Sequence, residues 1–194
     1  GIFSRINLLR NDYRLKKMFN ANAKDNVNLV EAIENKKVIF FKLPQDVFSS
    51  TYAKDTITCF LFSRIWNACL MRGKLHDKPN RCHLICDELF QCPTTLRMLH
   101  STDMMLQMRK FGIRMLITGQ HIKQYNMISE DLKSTGCNVL FMKGSANSYR
   151  FFESELLPYL EEDIVNLPQY YCLSSLCNPS DHKSKFIIKL SKPL

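Results

Sequence analysis

The stretch RCHLICDELFQ, residues 81–91, is the part of the sequence that best indicates the fold. Four mostly apolar residues, His83 to Cys86, are followed directly by the carboxylates of Asp87 and Glu88. A short apolar run that ends in polar residues is typical of a buried parallel strand. Because ligands of open α/β sheets bind beyond the carboxyl ends of the strands, Asp87 and Glu88 are candidate site residues.

Apolar runs that resemble strands alternate with helical segments on both sides of this stretch. Strands are predicted over residues 38–43, 82–86, 113–118 and 137–142. A long helix is predicted over 51–71, and Gly73 is expected to end it. The alternation indicates an α/β fold with a largely parallel sheet flanked by helices. A hairpin is predicted near the end of the chain, over residues 170–176 and 186–190, with a turn at 178–181.

The composition limits the class of protein. The chain has 194 residues, 45% of them hydrophobic, which favours a single domain with one core. No apolar run approaches the ~18 residues that a membrane span needs, and most of the 8 Cys lie in apolar stretches, as free thiols do in a reducing compartment. We therefore expect a cytoplasmic protein. The net charge of +9 permits a polyanionic partner such as DNA, although the charges are scattered.

The polar residues that flank two predicted strands each have a catalytic and a simpler explanation. In P-loop ATPases an Asp at the position of Asp87 holds Mg²⁺ on the nucleotide phosphates, and a neighbouring Glu polarises the attacking water. The simpler explanation for both is a strand that ends in a polar loop. Arg109 is either an arginine finger that acts across a subunit boundary or a cation that stabilises a helix end. Gln120 either senses the phosphate or closes a turn.

The order of these segments resembles one family. RCHLICDELFQ, MRKFGIRMLITGQHIKQ and CNVLFMKGS are similar to the Walker B, pre-sensor and sensor regions of HerA/FtsK-like P-loop motor ATPases, above all those of conjugal transfer and type IV secretion. NLVEAIENKKVIFFKLPQ and RIWNACLMRG resemble the segment before Walker B, so the likeness covers residues 27–157. It implies the C-terminal portion of a RecA-like ATPase domain, with a helical lead-in at 1–26, the core at 27–157, and a terminal helix and hairpin at 158–194.

The resemblance also implies roles for individual residues. Asp87 matches the Asp that binds the cofactors ATP and Mg²⁺, the metal through water. Glu88 matches the catalytic Glu, Arg109 the arginine finger, and Gln120 the sensor. Such motors form hexameric rings that move DNA or protein together with other secretion components, in the cytoplasm or at the inner face of the membrane through partners.

One departure from the family pattern concerns the phosphate-binding loop. A Walker A loop needs a glycine-rich turn followed by Lys and Ser or Thr, and none of the 6 glycines has that spacing. We therefore expect these residues alone not to hydrolyse ATP. Two alternatives remain open, namely a non-catalytic RecA-like interaction domain of a secretion complex and a basic nucleic-acid-binding module.

Overall fold

The computed structural model describes residue 7, residues 10–22, residue 24, residues 26–177 and residues 182–192. Contacts divide the chain into two compact units, Gly1–Thr118 and Gly119–Leu194. The expectation of a single domain stays a prediction. Helices, a small parallel sheet and an antiparallel sheet are all present, so the fold is mixed α/β, as expected.

Helices dominate the first half of the first unit. They are α1 (Tyr13–Phe19), α2 (Leu29–Glu34) and the long α3 (Thr51–Leu75), and each begins where a side chain caps its first amides. The predicted end of the long helix at Gly73 is wrong, because α3 continues through Gly73. A Cβ at that position would lie 2.6 Å from the ring of Phe111, so the glycine makes room for this ring instead of ending the helix.

The parallel sheet has two strands, β1 (Cys82–Cys86) and β2 (Ile113–Ile117), paired from Cys82 opposite Ile113 to Cys86 opposite Ile117. Between them lie a 3₁₀ turn (Leu89–Gln91), α4 (Pro93–Ser101), α5 (Met104–Gln107) and a second 3₁₀ turn (Met108–Phe111). The strands were expected to be largely buried, but one face of the sheet is open. Ile85 is 70% exposed and Leu116, its register partner, is 48% exposed.

The predicted strand at residues 38–43 does not form. This segment has no regular secondary structure, and the side chains of Val38 and Phe40 are 78% and 89% exposed. A strand requires a neighbour that satisfies its backbone hydrogen bonds, and no strand among the described residues pairs with it. A composition rich in strand-forming residues was therefore not enough to make this segment a strand.

The second unit is built on an antiparallel sheet in the order β3 (Val139–Phe141), β4 (Tyr171–Cys177) and β5 (Lys183–Lys189). Its helical segments are a 3₁₀ stretch (Ile122–Ile128), α6 (Ser129–Ser134), α7 (Ala146–Leu156) and α8 (Glu161–Val165). The buried core includes Phe152, Leu156 and Leu173. The predicted hairpin is confirmed as β4–β5, whereas its turn at 178–181 lies outside the described residues. The strand predicted over 137–142 forms as β3 and pairs antiparallel with β4, so among the described residues only β1 and β2 meet the expectation of a parallel sheet.

Candidate functional site

Asp87 lies at the carboxyl end of the parallel sheet. It follows the last residue of β1, and the register of the sheet places Thr118, the residue after β2, opposite it. The Thr118 hydroxyl donates a hydrogen bond to Oδ1 of Asp87, and the Thr118 amide donates to the carbonyl of Cys86 at 3.1 Å. Asp87 is exposed to solvent. Its carboxylate is thus oriented by the adjacent strand and remains accessible.

Glu88 has an uncommon backbone conformation. Its φ of 49° and ψ of 38° lie in the left-handed region, which costs a non-glycine residue about 1–2 kcal/mol. The Gln91 side chain donates to Oε2 of Glu88 at 2.5 Å, and the Gln91 amide donates to the Glu88 carbonyl at 3.0 Å. These bonds hold the glutamate in a tight turn directly after Asp87.

A buried carboxylate on the long helix anchors the chain beyond this turn. Asp55 of α3 is 2% exposed and accepts hydrogen bonds from the amides of Thr94 and Thr95 at 2.7 and 3.1 Å. These amides belong to the first turn of α4, where the backbone donors have no partner inside the helix. Nearby, the Lys54 ammonium donates to the side-chain oxygen of Gln91 at 2.7 Å. Helix α3 therefore fixes both the turn that carries Glu88 and the helix that follows it.

The electrostatic surroundings of Asp87 and Glu88 suit a divalent cation. Neither carboxylate forms an ion pair within the part of the chain that the structure describes. Groups of three or more His, Cys, Asp or Glu side chains placed to hold a metal ion do not occur among the described residues. Mg²⁺ does not need such a group, because it commonly binds one or two carboxylates, waters and substrate phosphates. The oxygen ligands present at Asp87 and Glu88 therefore fit Mg²⁺ bound to a nucleotide.

The thiol that precedes Asp87 takes no part in this chemistry. Burial raises the pKa of Cys86 to about 12, so the thiol stays protonated at neutral pH. A protonated thiol is neither an effective metal ligand nor a nucleophile. Cys86 therefore contributes to the packing of β1.

Arg109 lies at the opposite end of the sheet from Asp87. It belongs to the 3₁₀ turn before β2, is exposed, and lines a shallow pocket with Arg81 and Arg114. The strands have five residues each, so the two sheet ends are roughly 16 Å apart at ~3.3 Å per residue. Within the first unit, the structure does not bring Arg109 and Asp87 together.

Gln120 lies in the second unit and is exposed. Its amide donates to the side-chain oxygen of Gln124 at 2.9 Å, and that oxygen also accepts from the amide of His121 at 3.2 Å. Gln124 thus satisfies two amides at the start of the 3₁₀ stretch. The sensor role of Gln120 stays a prediction.

Thr118 was not expected as a site residue, because the sequence places it inside the predicted strand 113–118. In the structure β2 ends at Ile117, and the register that sets Cys86 opposite Ile117 brings Thr118 beside Asp87. The register of two strands is not given by their separate sequences, so the partner of Asp87 became visible only in the folded sheet.

No protein-family model, curated protein or solved structure matches this chain. None of the helices in the described ranges has both the length and the apolar character needed to cross a bilayer. A function for this chain is therefore inferred from the geometry around Asp87 and from the sequence resemblance.

Proposed function

We propose that this chain is the C-terminal part of a RecA-like motor ATPase domain, which couples ATP hydrolysis to the movement of DNA or protein. One observation carries the proposal. Asp87 lies at the carboxyl end of a parallel strand, and its carboxylate is oriented by Thr118 from the end of the neighbouring strand. This edge of a parallel sheet is where α/β folds bind their ligands.

Asp87 has a defined role in this proposal. Its Oδ1 accepts the bond from Thr118, and its Oδ2 accepts none from the described residues. Oδ2 is therefore available to hold the water shell of Mg²⁺. When bound with ATP, Mg²⁺ neutralises the charge that develops on the phosphates.

Glu88 is the proposed general base. Its carboxylate accepts a hydrogen bond from Gln91, and the left-handed backbone at Glu88 fixes where the side chain leaves the turn. A glutamate in this position can orient the attacking water and take up its proton, which typically contributes ~10²–10⁴ to the rate. The strained backbone supports a functional role, since such strain is concentrated at active sites.

A phosphate-binding loop is the remaining requirement. These 194 residues contain no glycine-rich turn followed by Lys and Ser or Thr, so under this proposal that loop comes from another part of the polypeptide or another chain. The decisive experiment therefore measures ATP turnover by the full-length gene product, with and without DNA.

The test variant is Glu88→Gln, which keeps the size of the side chain and one acceptor oxygen for Gln91 and removes its basicity. We expect turnover to fall ~10²–10⁴-fold, while equilibrium dialysis shows ATP binding unchanged. Glu153→Gln, an exposed glutamate on α7, is the matched control and should retain turnover. Turnover of Glu88→Gln within about twofold of the unmodified protein would refute the general-base role.

The role of Arg109 is tested by mixing subunits. Arg109 and Asp87 lie at opposite ends of one sheet, so an arginine finger from this position acts on a neighbouring subunit. Arg109→Ala and Glu88→Gln proteins, each inactive alone, should regain part of the activity when co-assembled. At some interfaces the intact Glu88 of an Arg109→Ala subunit then faces the intact Arg109 of a Glu88→Gln subunit. Absence of recovery in a ring shown to contain both proteins would refute the inter-subunit role.

A non-catalytic interaction domain is the second candidate function. It is favoured by the open face of the parallel sheet, where the apolar side chains of Ile85 and Leu116 are exposed. Absence of ATP turnover by the full-length gene product under every condition would favour this second function.

A further inference from the structure

A strongly basic pocket lies at the amino end of the parallel sheet. It has a volume of about 210 Å³, and its charged lining residues are Lys78, Arg81, Arg109, Lys110, Arg114 and Asp77. Five cations and one carboxylate leave this basic pocket with a net charge of +4. The residues come from the loop before β1, the 3₁₀ turn before β2 and β2 itself. The fold thus gathers cations that are far apart in the sequence.

The base of the pocket is held rigidly. Gly112 has a φ of +73°, and a Cβ there would lie 2.8 Å from the Asn80 carbonyl oxygen, so the absent side chain lets the loop approach β2. The Cys82 amide donates to the Gly112 carbonyl at 2.8 Å. The buried Arg72 donates to the Asn80 carbonyl, also at 2.8 Å. These contacts fix the cation-bearing segments in advance of ligand binding, which lowers the entropic cost of binding.

The five cations of the pocket outnumber its single carboxylate, Asp77. None of the five forms an ion pair with any residue that the structure describes. Elsewhere in the chain, Lys133 pairs with Glu155 and Arg150 with Glu161. Like charges in excess at one place repel one another, and an anion in the pocket relieves that repulsion.

We propose that the basic pocket is a binding site for phosphate groups. Three of its cations are arginines, whose planar guanidinium groups offer paired donors that match phosphate oxygens. The strands separate the pocket from Asp87 by roughly 16 Å, so one unit holds two distinct sites, one at each end of the sheet. The phosphate belongs either to a nucleic-acid backbone or to a nucleotide. The site does not depend on ATP hydrolysis.

The test measures binding by this chain in EDTA, so that no metal-dependent reaction contributes. Three probes are used in separate titrations, namely a fluorescein-labelled single-stranded oligothymidine, ATP and inorganic phosphate. The test variant is the double substitution Arg81→Gln/Arg114→Gln. Arg14→Gln/Arg97→Gln is the matched control, because these arginines are also exposed, belong to the same unit and lie outside the pocket.

We expect at least one probe to bind, and the pocket variant to bind it at least ~tenfold more weakly. For the oligothymidine, the slope of log affinity against log salt should fall by ~1–2. The control should stay within about threefold of the unmodified chain. Binding of the oligothymidine without ATP identifies a nucleic-acid backbone as the source, and binding of ATP without the oligothymidine identifies a nucleotide. Binding of inorganic phosphate alone would exclude both sources.

The proposal is overturned if no probe binds, or if the control weakens binding as much as the pocket variant, because the effect then reflects net charge alone. Circular dichroism of each variant verifies that the fold is retained. Because the titrations are made in EDTA and measure binding alone, the outcome does not depend on the catalytic role of Glu88.

Discussion

Gly112 and Gly136 allow a steric clash to be separated from backbone strain. Both have positive φ, +73° and +61°, so alanine is strained at either position. At Gly112 a Cβ would lie 2.8 Å from the carbonyl oxygen of Asn80 and 2.9 Å from that of Pro79, both backbone atoms. At Gly136 an added Cβ would meet no heavy atom within 4 Å among the described residues, apart from its chain neighbours. Gly136→Ala therefore reports strain alone, and Gly112→Ala reports strain and overlap together.

The expected magnitudes follow from these contacts. The left-handed conformation destabilises alanine by about 1–2 kcal/mol. Alanine also makes the unfolded chain less flexible than glycine does, which stabilises the folded state by about 0.4–1 kcal/mol. Gly136→Ala should thus destabilise by about 1 kcal/mol. Overpacking adds about 1–3 kcal/mol at Gly112, because the loop cannot withdraw without breaking the hydrogen bond between the Cys82 amide and the Gly112 carbonyl. We expect a total of about 2–4 kcal/mol for Gly112→Ala.

Urea titrations followed by two probes measure these free energies. Trp66 is the single tryptophan, belongs to the first unit and packs edge-on against Phe111 with ring centroids 5.3 Å apart, so its fluorescence reports unfolding near Gly112. Far-UV circular dichroism follows the transition that Gly136→Ala affects. If Gly112→Ala costs no more than Gly136→Ala, the close approach of the 79–80 backbone does not constrain this position, and the rigid base argued for the basic pocket is refuted.

Three further predictions concern single residues. Glu88→Gly should be more stable in urea than Glu88→Ala by about 0.5–1 kcal/mol, because both variants lose the hydrogen bond from Gln91 and only glycine relieves the left-handed strain. At Glu153, inside α7, the same comparison should favour alanine. A Glu88→Gly variant less stable than Glu88→Ala would contradict the strain. Iodoacetamide should alkylate the exposed Cys177 and spare Cys86, because burial raises the pKa of Cys86 to about 12; equal labelling in peptide mass spectra would contradict this. The hydrogen bond from Ser49, with those from backbone amides, lowers the pKa of Asp12, so its stabilising effect is present above the unfolded pKa of ~4 and is lost as the pH falls through the folded pKa. The stability difference between the unmodified chain and Asp12→Asn should therefore shrink in titrations made at progressively lower pH, and a difference independent of pH would refute the linkage.

Much of the local architecture could be predicted because its causes are local. The strands β1 and β2, the position of Asp87 after β1 and the β4–β5 hairpin follow from apolar runs and turn residues. Residues 38–43 show the limit of such reasoning. Their composition favours a strand as strongly as that of β1, but a strand also requires a paired neighbour, which one segment of sequence does not reveal. Gly73 shows a second limit, because its role depends on a ring 38 positions away in the sequence.

The candidate site was predicted in part for the same reason. Asp87 and Glu88 could be predicted because they directly follow an apolar run. The left-handed backbone of Glu88 and the hydrogen bonds to Asp55 that cap α4 arise only in the folded chain. The basic pocket was not foreseen, because its cations belong to separate segments that the parallel pairing brings together. Scattered charge in a sequence therefore does not mean scattered charge on the surface.

Helix α3 forms hydrogen bonds to segments at both ends of the parallel sheet. Near the start of α3, Asp55 accepts hydrogen bonds from the first turn of α4, the helix that follows Asp87 and Glu88 in the chain. Near the end of α3, Arg72 donates to the loop that lines the basic pocket. The two anchors are 17 residues apart on one helix, a span of about 26 Å at ~1.5 Å per residue. Because both contacts are made by one continuous helix, α3 sets the distance between the start of α4 and the loop that lines the basic pocket.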